Sequence, residues 1–490
     1  MDYDTIVVGG GLGGLSAAIH LAIKGQRVLL LEKNERLGGK LNLHQEAGFR
    51  WDTGPSLVTM PWVLHELIEA AGHKSSELLE LVRVEPGCRY FWPDGTRFEA
   101  WQDLPSLIQA IEALSPNDVA PFFRFLAHTS EIYKTVAPQF LLRPFTGIRE
   151  LISPSFARNA HKIDSLRTVD QAVRSFFQSP YLRQVFDRYA TYNGSSPYRS
   201  PATFNLISYI EFAEGSWYVK GGLYRIAEVL SQLAREQGVE IRTHSEVAQV
   251  APEGAGVRVE LRDGSRFQSR TAVINADPRY AYRHLLGAKE AVARRFEKLE
   301  PSCSGFILLL GIDRVYPHLA QHNIFWSHDY QREFRAIFEL GVPAPDPTIY
   351  ISSTSLSDPE HAPEQHMNLF VLVNAPSLGN SRYSYDWQRE AHAYSQLVIR
   401  KLEAMGLDQL SKHIVVQRIM TPNDLSERYN AANGAIYGPA SNNPFSAFAR
   451  PPLQAIGFPQ IYFVGGGTHP GGGIPLVLLS GKAVAEALCS

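Results

Sequence analysis

The spacing of apolar and polar positions changes sharply along the first thirty or so residues. Residues 5–8 read TIVV, a β-branched run, followed by Gly9-Gly10-Gly11-Leu12-Gly13-Gly14 and then LSAAIHLAIKG with apolar positions at helical spacing. This predicts a strand, a glycine turn and a helix. Gly25 closes the helix, and residues 27–31 (RVLLL) form a second buried-type strand ending at Glu32. A βαβ unit is thus written out within about 30 residues. From about residue 100 to 209 the pattern turns helical, as in SLIQAIEAL, and is rich in aromatics and arginine. After Gly215 comes a helix (LYRIAEVLSQLAREQG) and then strands (EIRTHSEVAQV, GVRVELRDG, TAVINA). A mixed segment runs from about 279 to 417, and the end returns to a strand (IYFV), a glycine-dense turn and a helix opened by Pro475.

Composition narrows the class. The 490 residues suggest about three domains. With 47 Lys+Arg against 49 Asp+Glu, and no long block of one sign, a nucleic-acid binder driven by bulk charge is excluded. Cys88, Cys303 and Cys489 lie far apart without CxxC spacing, which predicts neither a disulfide scaffold nor a zinc site and fits a reducing compartment. A strand begins within a few residues of Met1, leaving no room for a signal peptide, and no run of about 18 apolar residues exists. The expected location is cytoplasmic.

The G-x-G-x-x-G at Gly9, Gly11 and Gly14 has a physical reading in this context. Gly9 permits the tight turn, Gly11 lets a pyrophosphate approach the backbone, and Gly14 lets the helix sit close to the strand, with helix amides facing phosphate. Gly13 belongs to the same turn. Glu32, at the end of the second strand, suits a ribose 2′-hydroxyl and repels a 2′-phosphate. NAD and FAD both satisfy this unit.

The residues that follow carry a resemblance. Leu37-Gly38-Gly39-Lys40 and then Trp51-Asp52-Thr53-Gly54-Pro55-Ser56 resemble the flavoprotein superfamily of amine oxidases and carotenoid desaturases. The resemblance implies FAD. It places Lys33, Gly39 and Lys40 near the ribose and phosphates, Gly54, Pro55 and Ser56 toward the flavin ring, and Val247 among the cofactor contacts. It also sets Gly466, Gly467, Gly473, Ile474 and Pro475 at a helix N-terminus beneath the flavin, where the positive end of the dipole favours charge on the reduced ring. The fold class so implied is α/β: a Rossmann-like FAD-binding domain of the GR2 amine-oxidase type, interleaved with a mixed α+β substrate domain and a helical, membrane-associating region. The cofactor domain is expected over 1–100, 215–285 and 421–490, the helical region over 101–214 and the substrate domain over 286–420.

Residues 215–222 (GSWYVKGG), 192–198 (YNGSSPY) and the terminal GTHPGGGIP are similar to bacterial phytoene desaturases. Residues 300–305 (EPSCSG), 321–325 (QHNIF) and 433–438 (NGAIYG) are similar to the branch acting on C30 linear carotenoids, which includes oxidases of terminal methyl groups. Those oxidases tend to have Asn-Pro where this chain has His469-Pro470. The resemblance therefore implies first a carotenoid desaturase working by hydride transfer to flavin, with methyl oxidation to aldehyde as the alternative and a non-enzymatic isoprenoid binder of the same fold as a further one. Oxygen or a membrane quinone is expected to reoxidise the flavin. No single catalytic side chain is assigned; His469 is a candidate for proton transfer, set against a hydrogen-bonded loop histidine.

Residues 134–167 carry six basic side chains (Lys134, Arg143, Arg149, Arg158, Lys162, Arg167) against Glu150 and Asp164, among Phe140, Phe145, Ile148, Leu151 and Phe156. Apolar groups beside Lys and Arg suit the headgroup zone of an anionic bilayer. The expectation is a peripheral enzyme on the inner face of the cell membrane that draws its substrate from lipid. His65-Glu66 lacks the second histidine of a zinc-protease helix, and no metal is expected.

Overall fold

The computed structural model describes residues 2–142, 162–379, 385–444, 446 and 449–489. Two seven-stranded sheets organise them. The first runs Val247–Glu253, Gly256–Leu261, Arg266–Ile274, Tyr3–Val8, Val28–Leu31, Glu240–Arg242, with Ile461–Phe463 pairing onto the last residues of Arg266–Ile274. Tyr3–Val8 is parallel to both its neighbours. Val28–Leu31 is buried at every position, as a parallel strand covered on both faces must be. Helix Leu12–Ile23 packs against Arg225–Glu236 and Ile474–Cys489. A Cβ on Gly481 would stand 2.6 Å from the Ala17 amide nitrogen, so the small residue lets the first and last helices of the chain nearly touch, and Ser16 Oγ donates across to the Leu478 carbonyl at 2.7 Å.

The second sheet runs Ile414–Met420, Ser304–Ile312, Met367–Ala375, Ile349–Ser352, His322–Phe325, Cys88–Phe91, Arg97–Ala100, antiparallel except between His322–Phe325 and Cys88–Phe91. Ser304–Ile312 is buried at all nine positions. Phe306, Leu308 and Leu310 pack under helix Trp387–Ala404, while Ile307 and Leu309 face Phe49, Trp51 and Phe370 on the other side. This alternation is the two-residue period of a strand covered twice.

One boundary differs from expectation. Residues 88–100, assigned by sequence to the first cofactor segment, pair into the second sheet, because Cys88, Tyr90 and Phe98 pack with Ile324 and Trp326. Between the two sheets' contributions lie helices Leu104–Leu114, Val119–Val136, Val169–Phe176, Pro180–Asp187 and Leu206–Glu214. Thr168 and Gln171 form a capping box that starts one of them, satisfying amides that have no partner within the helix. Of the basic and aromatic stretch, Arg143, Arg149, Arg158, Glu150, Phe145, Ile148, Leu151 and Phe156 lie outside the described residues. Among the described residues no helix is long and apolar enough to cross a membrane.

Candidate active site

A cavity of about 900 Å³ runs from the glycine turn after the first strand to one face of the second sheet. That is large for a small-molecule site. Its glycine end is built by close approach. Gly9 has φ +99°, and a Cβ on Gly14 would lie 2.1 Å from the Gly9 carbonyl oxygen. Gly11 caps helix Leu12–Ile23 without a side-chain acceptor of its own. Asn275, at the end of strand Arg266–Ile274, supplies one: with its amide turned to match its neighbours, its oxygen accepts from the Gly11 and Gly14 amides at 3.1 and 3.3 Å. The sequence reading missed this residue, whose only signal is an Asn directly after the strand TAVI.

Glu32 is 5% exposed. Its Oε2 accepts from the Gly10 amide at 2.7 Å and its Oε1 from the Asn34 amide at 2.9 Å, so the carboxylate is held at the strand end beside the glycine turn. Gly39 packs on Gly11, and a Cβ on Gly54 would lie 1.9 Å from the Lys40 carbonyl oxygen. Lys33 Nζ donates to the Glu427 carbonyl and Asn430 Oδ1 at 2.8 and 2.9 Å. Lys40 Nζ donates to the Ala435 and Ile436 carbonyls at 3.0 and 2.6 Å, bridging to the opposite wall. Burial lowers the Lys40 ammonium to about 8, against the opposing pull of Asp277.

Pro55, Ser56, Val247, Gly466, Gly467, Gly473 and Pro475 all line the same cavity. The last helix begins at Ile474 rather than at Pro475, which occupies its second position. His469 also lines the cavity; it is buried, and its amide donates to the Pro451 carbonyl at 3.3 Å. Arg450, unforeseen from sequence, crosses beneath the terminal glycines: it donates to the Gly466 and Pro439 carbonyls at 3.0 and 2.9 Å and to Asn193 Oδ1 at 3.2 Å. Burial lowers it to about 10, so it stays a cation at neutral pH.

Beyond Ser56 the wall becomes the face of the second sheet, with Ile307, Ile324, Phe370 and Leu372 lining the cavity. Polar side chains interrupt it. Ser56 Oγ is 2.5 Å from the Tyr350 hydroxyl, which is 2.8 Å from His322 Nδ1. Arg188 also lines it; its guanidinium carbon lies 5.0–5.5 Å from the ring centres of Tyr90, Tyr189 and Tyr192. Phe140, Leu141 and Leu166 also line the cavity, and Leu166 is 93% exposed. Among the described residues no group of three or more His, Cys, Asp or Glu side chains could hold a metal ion.

The glycine cradle, two helix N-termini facing one cavity and a buried carboxylate at the second strand end fit a dinucleotide, and the long apolar continuation fits an extended substrate. Fold and site together define an FAD-dependent oxidoreductase. The family model for flavin containing amine oxidoreductases matches residues 12–489, and the chain belongs to that family. It is 36% identical over 488 residues to the 4,4'-diapolycopene oxygenase of a Methylomonas species, covering 99% of this chain and 97% of the relative. It is 34% identical to the 4,4'-diaponeurosporene oxygenase of Staphylococcus haemolyticus, covering 99% and 96%. Among solved structures it resembles an oxidoreductase from Methanosarcina mazei, with a TM-score of 0.67, 17% identity and coverage of 99% and 100%.

Proposed function

We propose that the chain oxidises a terminal methyl group of a linear carotenoid to an aldehyde. The observation that carries this reading is the apolar cavity continuous with the cofactor cradle, in a chain that matches relatives named as 4,4'-oxygenases along nearly their whole length. Introduction of double bonds, the reaction expected first from sequence, is supported less well by those names. Incubation of the FAD-loaded protein with a linear C30 carotenoid tests the choice: gain of oxygen in the product mass supports methyl oxidation, and loss of two hydrogens per step supports desaturation.

In this reading FAD, when bound, would supply the two-electron acceptor of each step: hydride leaves the terminal carbon, water adds there with loss of a proton to give the alcohol, the alcohol then loses a second hydride and a proton to give the aldehyde, and oxygen or a quinone takes the electrons. The chain's residues bind and orient. Glu32 holds the adenosine ribose, the turn Gly9–Gly14 and helix Leu12–Ile23 hold the pyrophosphate, and Lys33, Gly39, Lys40 and Val247 complete the nucleotide end. Gly54, Pro55 and Ser56, with Gly466, Gly467, Gly473, Ile474 and Pro475, enclose the ring end. The Ile307–Ile324–Phe370–Leu372 wall excludes water and keeps the polyene extended. His469 is buried by its loop and is assigned no proton transfer.

The substrate dissolves only in lipid, which gives a role to the exposed Leu166, which lines the cavity, and to the exposed Leu142, next in the chain to the lining residue Leu141. They belong to the basic and aromatic stretch 134–167 and would dip into the bilayer surface, so that a carotenoid passes from membrane to cavity without crossing water.

A further inference from the structure

We propose that His322 Nε2 is the binding point for the oxygen on a partly oxidised substrate, the hydroxyl or aldehyde at the end of a linear polyene. The inference rests on the reaction proposed above and adds the group that recognises its oxygenated species.

His322 lines the cavity and is 1% exposed. Its Nδ1 is engaged by the Tyr350 hydroxyl at 2.8 Å, while Nε2 is buried with no hydrogen-bond partner among the described residues. An unpaired polar atom of this kind is uncommon in protein interiors and points to a missing partner. Ile324 on the same strand, and Phe370 and Leu372 on a nearby strand of the sheet, also line the cavity and offer no hydrogen bond. Burial, reinforced by the cation of Arg188, lowers His322 to about 3. The ring is therefore neutral, with one N–H and one lone pair.

The chain Ser56–Tyr350–His322 can be polarised both ways, because either hydroxyl can donate and the tautomer of His322 is set by its partner. If Ser56 donates to Tyr350 and Tyr350 to Nδ1, the proton of the imidazole sits on Nε2, which donates to an aldehyde oxygen. If Nδ1–H donates to Tyr350 and Tyr350 to Ser56, Nε2 presents its lone pair and accepts from an alcohol. A methyl terminus matches neither state. The same atom thus holds the substrate end on both sides of the alcohol-to-aldehyde step, and favours completing the oxidation over releasing the alcohol.

The test uses FAD-loaded wild-type protein and the variants His322→Leu and His322→Phe, with flavin absorbance as the check on folding. The probes are a linear C30 polyene hydrocarbon, its terminal alcohol and its terminal aldehyde, titrated by quenching of tryptophan fluorescence. The wild type is expected to bind alcohol and aldehyde about tenfold more tightly than the hydrocarbon, the variants to lose that preference while keeping hydrocarbon affinity. The C=O stretch of the bound aldehyde should be lowered in the wild type and return to its unbonded value in the variants. A preference and stretch unchanged by either substitution overturn the proposal. If both variants lose flavin, an unshifted stretch in the wild type overturns it and a lowered one supports it. Oxygen-free products with a His322-dependent preference defeat the proposed reaction and leave the subsite standing; aldehyde formation with a preference indifferent to His322 defeats the subsite alone.

Discussion

The Arg188 guanidinium lies 3.8 Å from Glu211 Oε1, with side chains only 9% and 4% exposed. Glu211 also accepts from the hydroxyls of Tyr189 at 2.9 Å and Tyr192, and Arg188 donates to the Tyr90 hydroxyl at 2.9 Å. A cation and an anion are thus buried together at the edge of an apolar cavity. Removing one leaves the other uncompensated. Arg188→Met is expected to cost about 3–5 kcal/mol, and Arg188→Met with Glu211→Gln distinctly less, measured by urea unfolding as a double-mutant cycle.

Glu32 tests the cofactor end. Glu32→Gln keeps the shape but removes the charge from the hydrogen bonds that a ribose hydroxyl and the Gly10 amide would make. Loss of about 1.5–3 kcal/mol corresponds to roughly 10- to 150-fold weaker FAD binding, read by titrating apoprotein with FAD.

Gly14→Ala tests the close approach. Its Cβ would meet the Gly9 carbonyl at 2.1 Å, a contact that only a shift of the helix away from the strand can relieve. The expected result is a loss of about 1–3 kcal/mol in stability and flavin content well below the wild type after identical purification.

Glu333 makes stability depend on pH. It is 2% exposed, and burial raises its carboxyl to about 7, despite the Thr348 amide donating to it at 2.9 Å. In the unfolded chain it ionises near 4.5, so between about 4.5 and 7 the folded state holds the extra proton. Its contribution is therefore full at low pH and is lost as pH rises through 7. Glu333→Gln should flatten this slope and raise the melting temperature relative to wild type above pH 7, in a thermal-melt series from pH 5 to 8.

Flotation with liposomes containing anionic lipid checks the membrane reading. The wild type should float and Leu142→Glu/Leu166→Glu should float less, with flavin content unchanged; complete retention of the wild type in the dense fraction would refute the proposal.

The glycine turn and the acidic strand end were legible because their geometry is local in the chain. Gly9, Gly11, Gly14 and Glu32 sit within one βαβ unit, where period, turn and strand end are all set by near neighbours. The terminal glycines and Pro475 were readable for the same reason, apart from a one-residue shift of the helix start to Ile474. The pairing of Cys88–Phe91 with His322–Phe325 was not, since strands of the same composition can join either sheet and the choice depends on which distant faces they bury.

The same division runs through the site. Residue order alone specified the strand, the glycine turn, the helix and the acidic residue at the second strand end, all of which the fold contains. Tertiary structure alone brought Asn275 onto the first helix, Arg450 under the terminal glycines and Ser56, Tyr350 and His322 into one hydrogen-bonded chain. Ser56 and Tyr350 are 294 positions apart. No periodicity or spacing encodes such a contact, because it exists only once the loop after Phe49–Asp52 has folded onto the second sheet.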